Sequence, residues 1–249
     1  MQSALDQFRI SIRRVREMIS LHNSVKAQST SALDLSDILR AALVLAVSAL
    51  DYYIHEVVTL GMIEIHRGQR PEPNPPHNSP QSAFSRFQVS LGGARQERLI
   101  SIDIASWLQN EIQQSQGVAF LQQSHKISTL LPIISNSLAN QLNQTSWLED
   151  EIRERFGYQS FQQPDKIADA IRLISDKKLW EEVSTQLGKP SKDIKQELRA
   201  IVDRRNKIAH EADIDPTLGI GYRWNIDESL VNDAVNFIEQ VVESIHKIL

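Results

Sequence analysis

The chain has 249 residues, a formal net charge of −4 at pH 7, 41% hydrophobic and 23% charged residues, and no cysteine. The length allows one large domain or two small ones with a buried core, and the balance of apolar and charged residues argues against disorder. The absence of cysteine excludes a disulfide scaffold, a thiolate metal site and a cysteine nucleophile, and because it suits a reducing compartment we expect a cytoplasmic protein.

Apolar residues recur at helical spacing along nearly the whole chain, and no stretch alternates as a half-buried strand would. The pattern predicts a first helix over 5–24 and a second over 34–67, with Asp34 as the N-cap of the second. Between Leu39 and Val58 the second helix is apolar almost all round, which predicts a central, buried helix. Its longest apolar run, Ala41–Leu50, is about half as long as a membrane span, so we expect no contact with a membrane.

Prolines interrupt the next segment, 68–80, and predict an exposed loop. Shorter amphipathic segments then predict helices over 82–89, 102–114, 118–143, 147–156 and 164–187. Gly188 and Pro190 precede a helix over 191–212, and a loop separates that helix from a last one over 228–248. We therefore predict an all-α helical bundle in a single domain over 1–249, in which a helical insert of about 81–188 interrupts a four-helix core from about 3–67 and 191–249.

The helix predicted over 191–212 carries an arginine and a histidine five positions apart, Arg205 and His210. Spacing alone does not identify a site, because similar pairs occur at Arg16 and His22 and at Arg70 and His77. The residue after Arg16 is Glu17, and Arg70 lies in the proline-rich loop. Arg205 is followed by the polar residue Asn206, lies in a strong helix and has one more helix after it.

Periodicity places Arg205 in an apolar row of that helix, formed by Ile194, Leu198, Ile201, Ile208 and Ala212. A buried arginine is costly unless it is paired, so its presence there needs a reason. One reason is a structural ion pair, for which Asp51 in the apolar second helix is the obvious partner. The other is a functional role, and both can hold at once.

Several segments resemble HEPN domains, in particular the prokaryotic RiboL-PSP-type group related to ribonuclease L-like domains. The resemblance lies in the R-x4-6-H signature of Arg205 and His210 and in SALDYYIHEVV (48–58), FQQPDKIADAIRLISDKKLWEEV (161–183), RNKIAHEADIDP (205–216) and IDESLVNDAVNFIEQVVESI (226–245). Together these segments span the chain from about residue 35 to the end. The resemblance implies the four-helix HEPN core, and it implies an endoribonuclease that makes the 2′-hydroxyl of RNA attack the neighbouring phosphate.

In that reaction the resemblance implies two catalytic residues. Histidine changes protonation near neutral pH, which suits His210 to moving protons. Arginine keeps its charge and holds phosphate with two donors, which suits Arg205 to the phosphate. Asn206 would orient the histidine or the phosphate, Arg204 and Asp51 would support the site, and neither a metal nor a cofactor is implied.

The negative net charge requires any RNA site to be local. The best candidate is the basic segment 192–207, where cations outnumber acids: Lys192, Lys195, Arg199, Arg204, Arg205 and Lys207 against Asp193, Glu197 and Asp203. From it we predict Lys207 and Arg199 as RNA contacts. In the following loop, Tyr222, Arg223 and Trp224 could stack on a base, and docking under the last helix is the alternative for Trp224.

Five positions on a helix separate Arg205 and His210 by about 140°, so one copy of the chain does not form a full site by itself. HEPN proteins pair as two-fold dimers with both motifs facing one cleft, and the resemblance therefore implies a homodimer. It also implies an antitoxin or another defence-system protein as a partner. Ala212 stands where some HEPN toxins carry a tyrosine that a nucleotidyltransferase antitoxin modifies, so we do not expect that mode of control.

Two alternatives to the nuclease stay open at the level of sequence. A catalytically inactive HEPN bundle would bind RNA, a nucleotide or a protein partner without cutting. An unrelated helical scaffold would use Arg205 only as a structural residue. The position of the two His210 side chains in a dimer separates these hypotheses, because a nuclease brings both into one basic cleft.

Overall fold

The computed structural model describes residues 1–28, 33–75, 80–87, 108–110, 112–143 and 146–249. Within these ranges the regular structure is helical, which confirms the all-α prediction. The helices with both ends in the described ranges are α1 (Gln2–Gln28), α2 (Ser36–His66), α3 (Val118–Leu121), α4 (Ile127–Asn143), α5 (Ser146–Phe156), α6 (Pro164–Ile171), α7 (Leu179–Leu187), α8 (Ser191–Glu211) and α9 (Glu228–Ile248).

The chain folds into two compact units. The first unit is built from both ends of the chain, Met1–Arg86 and Ser160–Leu249, and the second is the segment between them, Phe87–Gln159. The predicted insert of about 81–188 therefore extends too far, because α6 and α7 belong to the first unit. Their apolar faces are buried there, since α6 packs on α2 and α7 packs on α8 and α9. The single-domain organisation over 1–249 stays a prediction.

The centre of the first unit is α2, which packs against α1, α6, α8 and α9. Leu43, Leu50 and Val57 illustrate its burial, each being at most 1% exposed. This arrangement confirms the predicted central helix. By length and composition α2 could also cross a membrane, yet in the first unit 56% of its most apolar window is buried among other helices. Its N-cap is Leu35 rather than Asp34, although the Asp34 carboxylate accepts the Ser36 N–H at 2.9 Å.

The two terminal helices, α1 and α9, pack against α2 and against each other. Their buried residues follow helical spacing and include Phe8, Ile12 and Val15 in α1. The α9 helix begins at Asp227, whose side chain caps it by accepting the Leu230 N–H at 2.9 Å. Pairs such as Arg9 with Glu243 link the two helices at the surface. Exposed pairs of this kind contribute little stability, so the apolar faces hold the helices together.

Elsewhere the helix boundaries differ from the prediction. The segment predicted as a helix over 82–89 forms a turn at 83–86, and its last two residues, like most of the helix predicted over 102–114, lie outside the described residues. Two predicted helices are interrupted: 118–143 divides into α3 and α4, and 164–187 divides into α6 and α7. The described part of the 68–80 loop is irregular and mostly exposed, with Pro73 buried.

The central position of α2 predicts unequal effects of two leucine substitutions. Leu50 is 0% exposed and Leu45 is 46% exposed. Leu50→Ala should lower the free energy of unfolding by about 2–5 kcal/mol, because it removes a buried side chain and leaves a cavity. Leu45→Ala should change it by about 0.5 kcal/mol or less. Urea denaturation followed by circular dichroism measures both, and equal losses would contradict the central position of α2.

Candidate functional site

The two predicted catalytic residues, Arg205 and His210, lie at the C-terminal end of α8. This helix buries Ile194, Leu198 and Val202, at a spacing of four residues. The predicted apolar row was therefore wrong in its second half, because Arg205 and Ile208 are half-buried and Ala212 lies beyond the helix. Four residues are more than one turn of an α-helix, so a row of residues spaced four apart winds around the helix axis. Arg205 therefore lies at the edge of the buried row.

A buried ionic cluster fixes this end of α8. Asp213 is fully buried, and its Oδ2 accepts hydrogen bonds from Arg40 Nε at 2.7 Å and from Arg204 Nη2 at 2.8 Å. Arg40 comes from α2 and is 6% exposed. Burial lowers the pKa of the Arg204 guanidinium from its ordinary value, the Asp213 charge opposes this change, and the nearby Arg40 adds to it. Because charges are costly to bury, this carboxylate is needed to hold both arginines in place.

The residues that follow α8 form a short hairpin over 213–224, called the 213–224 hairpin below. Its two sides are joined by hydrogen bonds from Trp224 N to Asp213 O and from Asp215 N to Tyr222 O, both 2.9 Å long. The Trp224 carbonyl accepts further bonds from Arg40 Nη2 at 2.9 Å and Arg204 Nη2 at 3.1 Å. The cluster around Asp213 thus holds the base of the hairpin as well as the end of α8.

The chain turns sharply between α8 and the hairpin. Ala212 and Asp213 have φ angles of 51° and 58°, in the left-handed region that residues other than glycine seldom adopt. The Asp213 N–H donates to Lys207 O at 3.0 Å, which satisfies one of the free carbonyls at the helix end. Two successive left-handed residues cost free energy, so the bonds to Arg40 and Arg204 stabilise a turn that the local sequence disfavours.

The two predicted catalytic residues are not part of this cluster. Arg205 is half-buried, and its Nη1 donates to Asn206 Oδ1 at 3.1 Å. The Arg205 Nε is buried and has no hydrogen-bond partner in the described part of the chain. His210 is exposed in the last turn of α8. Among the described residues neither Arg205 nor His210 forms an ion pair with a carboxylate, so both remain available to an anionic ligand.

Asp51 does not pair with Arg205. Its carboxylate accepts the Phe161 N–H at 2.6 Å and the Gln162 Nε2 donor at 2.9 Å, and His55 Nε2 lies 3.7 Å from it. The segment that leads into α6 supplies these donors, so Asp51 fixes that segment to α2. Asp51 as the ion-pair partner of Arg205 was therefore wrong. The structural ion pair exists one residue earlier in the chain, at Arg204.

The predicted RNA contacts differ in whether carboxylates of the protein already bind them. Arg199 Nη2 donates to Asp165 at 2.7 Å, and Arg223 donates to both Asp34 and Asp37. Hydrogen bonds from Ser36 lower the pKa of Asp34 to about 2, with a smaller contribution from Arg223. Arg199 and Arg223 are thus neutralised by carboxylates, and an RNA phosphate would have to compete with them.

Lys207 and Trp224 contact each other. The Lys207 Nζ lies 4.6 Å from the centroid of the half-buried Trp224 ring, a cation–π distance. Within the described residues Lys207 has no carboxylate partner. The positive charge of Lys207 therefore lies beside the base of the hairpin, within one helical turn of His210.

Sequence reasoning missed Arg40 and Asp213, the residues on which the geometry of the site depends. A signal for Arg40 is present in the sequence, because Arg40 interrupts an apolar segment of α2 just as Arg205 interrupts the predicted apolar row of α8. Asp213 belongs to a DIDP segment that indicates a turn and gives no sign of burial. Only the pairing of the two, 173 positions apart, shows the role of either.

The fold and the site define an all-helical protein with an R-x4-H pair at the end of one of its core helices. Comparison with known families gives a match to the RiboL-PSP-HEPN family over residues 9–249. The chain belongs to this family, which indicates a ribonuclease-type or related function. No curated protein and no solved structure matches the chain.

The two adjacent arginines should contribute unequally to stability. Arg204→Ala should lower the free energy of unfolding by about 3 kcal/mol, because the buried Asp213 carboxylate loses one of its two arginine donors. Arg205→Ala should lower it by about 1 kcal/mol or less, because Arg205 has no ion pair among the described residues. Urea denaturation of both variants at neutral pH measures the difference. A larger loss for Arg205→Ala would show that Arg205 is the structural arginine.

Proposed function

We propose that this protein is an endoribonuclease of the HEPN type that cuts RNA without a metal ion, using Arg205 and His210. One observation carries the proposal. Arg205 and His210 lie at the end of one helix without carboxylate partners among the described residues, while the adjacent Arg204 binds the buried Asp213. Family membership supports the same class of reaction.

The chemistry needs two functions that these residues supply. Removal of the 2′-hydroxyl proton lets that oxygen attack the neighbouring phosphorus, and the 5′-oxygen of the next nucleotide leaves and takes up a proton. The products are a 2′,3′-cyclic phosphate and a 5′-hydroxyl. His210 moves a proton, because imidazole both accepts and donates near neutral pH. Arg205 stabilises the negative charge that builds on the phosphate oxygens.

A dimer completes the proposed site. The positions of Arg205 and His210 differ by about 140° around the axis of α8, so the two side chains of one copy do not point at the same phosphate. A two-fold partner would bring a second His210 and a second Arg205 to the same phosphate. The family resemblance supports such a pairing, and a role as a toxin or defence effector belongs to the same proposal.

A second candidate is a module that binds RNA, a nucleotide or a protein partner without cutting. The net charge of −4 favours it, because an acidic chain attracts RNA only through a local basic surface. In this alternative Arg205 and Lys207 bind phosphate and His210 has no chemical role. The two candidates differ in whether the wild-type protein cleaves RNA, and whether that cleavage requires the His210 imidazole.

The test is cleavage of a mixed RNA pool by the purified protein in the presence of EDTA. His210→Ala and Arg205→Ala should each reduce the cleavage rate by about 100-fold or more, because each removes a group that acts in the transition state. His66→Ala and Arg14→Ala, which change exposed residues on α2 and α1, are the matched controls and should cleave like the wild type. Mass spectrometry of the fragments should find 2′,3′-cyclic phosphate ends.

Other outcomes assign other functions. Cleavage that survives both substitutions would show that Arg205 and His210 are not catalytic. RNA that is bound but not cut, with binding lost in Arg205→Ala and kept in His210→Ala, would identify the binding module. Thermal denaturation of each variant establishes that it is folded, which the exposure of His210 favours.

A shared site between two copies predicts complementation. Arg205→Ala and His210→Ala proteins are each inactive alone, but a mixture that exchanges subunits forms heterodimers in which each copy supplies the residue that the other lacks. Some cleavage activity should return in the mixture. Sedimentation velocity measures the oligomeric state of the same samples. A monomer that cleaves RNA, or a mixed dimer without activity, would contradict the shared site.

A further inference from the structure

The 213–224 hairpin exposes large apolar side chains that folding does not require. Leu218 is 59% exposed, Ile220 is 103% exposed and Tyr222 is 60% exposed. The hairpin begins three residues after His210 in the sequence. Grouped apolar side chains at a surface usually mark a place where another molecule binds.

The hairpin is held firmly at its base. Asp213 is bound by Arg40 and Arg204, and Arg223 is bound by Asp34 and Asp37. Asp215 closes the turn by accepting the N–H and the hydroxyl of Thr217, at 2.9 and 2.7 Å. A loop fixed in this way presents its tip at little cost in conformational entropy when a ligand binds.

The charges next to the hairpin decide which ligand fits. At the end of α8, Arg205 and Lys207 lack carboxylate partners among the described residues, while Lys195 and Arg199 nearer its start are paired with Asp165. The exposed acids nearby are Glu211, Asp203, which accepts from Gln163, and the pair Asp34 and Asp37, which already bind Arg223. A ligand that matches this surface combines negative charge with flat apolar faces, as unpaired nucleotides do.

We propose that the 213–224 hairpin recognises unpaired bases, with the Tyr222 ring stacking on a base beside the scissile phosphate. Arg205 and Lys207 hold the phosphates of the same strand. The substrate class is therefore single-stranded RNA, because the base faces of a duplex are covered by their neighbours. This inference rests on the proposed nuclease function for the identity of the ligand, and it assigns Tyr222 as a specificity-determining residue.

Binding must be measured apart from cleavage. A fluorescein-labelled 2′-O-methyl RNA oligonucleotide lacks the attacking hydroxyl, and fluorescence anisotropy gives its affinity as a single strand and after annealing to its complement. Tyr222→Ala and Tyr222→Leu should weaken single-strand binding about 5- to 150-fold, the range expected for loss of one stacked base. Tyr222→Phe, which keeps the ring, should bind like the wild type. Duplex affinity should be the same in all variants.

The matched control is Tyr158→Ala, because Tyr158 is 77% exposed and lies outside the hairpin. It should leave single-strand binding unchanged. Circular dichroism and thermal denaturation check that each Tyr222 variant is folded. An equal loss for Tyr158→Ala and Tyr222→Ala would overturn the assignment of the hairpin, and so would single-strand binding that Tyr222→Ala leaves unchanged.

The outcomes also separate this inference from the proposed nuclease function. Binding that depends on the Tyr222 ring, in a protein that does not cut unmodified RNA, would support the recognition site and reject the nuclease. Cleavage of RNA by a protein whose single-strand binding does not depend on Tyr222 would support the nuclease and reject the recognition site. Failure of the wild type to bind single-stranded RNA would overturn the inference. The inference would also be overturned if Tyr222→Ala changed the sedimentation of the protein but not its RNA binding, because the hairpin would then be a protein-contact surface.

Discussion

The carboxylate of Asp213 is the point at which three parts of the first unit meet. It binds Arg40 of α2 and Arg204 of α8, and its own backbone forms one side of the 213–224 hairpin. Burial of a carboxylate and of the Arg40 guanidinium, with Arg204 half-buried beside them, is costly, and the cost is offset by short, well-directed hydrogen bonds. Because these bonds join α2, α8 and the hairpin, they fix the end of α8 and the base of the hairpin relative to the central helix.

That cluster explains why two neighbouring arginines differ so much. Successive residues on a helix point about 100° apart, so Arg204 can face the buried Asp213 while Arg205 does not. Arg204 therefore forms an ion pair with Asp213, and Arg205 has no carboxylate partner among the described residues. A phosphate-binding site needs a cation that is not paired with a carboxylate, because an arginine already neutralised by an acid attracts an anion weakly. The proposed chemistry thus depends on the structural pairing of the adjacent residue.

The proposed RNA site joins elements with different physical roles. The end of α8 supplies positive charge and an exposed imidazole, and the hairpin supplies an anchored surface with an aromatic ring. Charge alone would bind any nucleic acid, and an aromatic ring alone would bind weakly. Together they favour a single strand whose phosphates and bases are both accessible. Arg199 and Arg223, which the sequence made attractive as RNA contacts, instead hold α6 and the hairpin through ion pairs with Asp165, Asp34 and Asp37.

The sequence by itself determined the helical class, the central place of α2 and the Arg205–His210 motif, because helical periodicity and short motifs are local properties of a chain. It placed α6 and α7 in an insert, paired Asp51 with Arg205 and read Asp213 as an ordinary turn residue. Only the tertiary structure decided that Asp51 holds the segment before α6 and that Arg40 and Arg204 share Asp213. These partners are 9 to 173 positions apart. Periodicity gives the face of a helix but not what packs against it. A shift of one residue exchanges the arginine that binds Asp213 for one that has no carboxylate partner among the described residues.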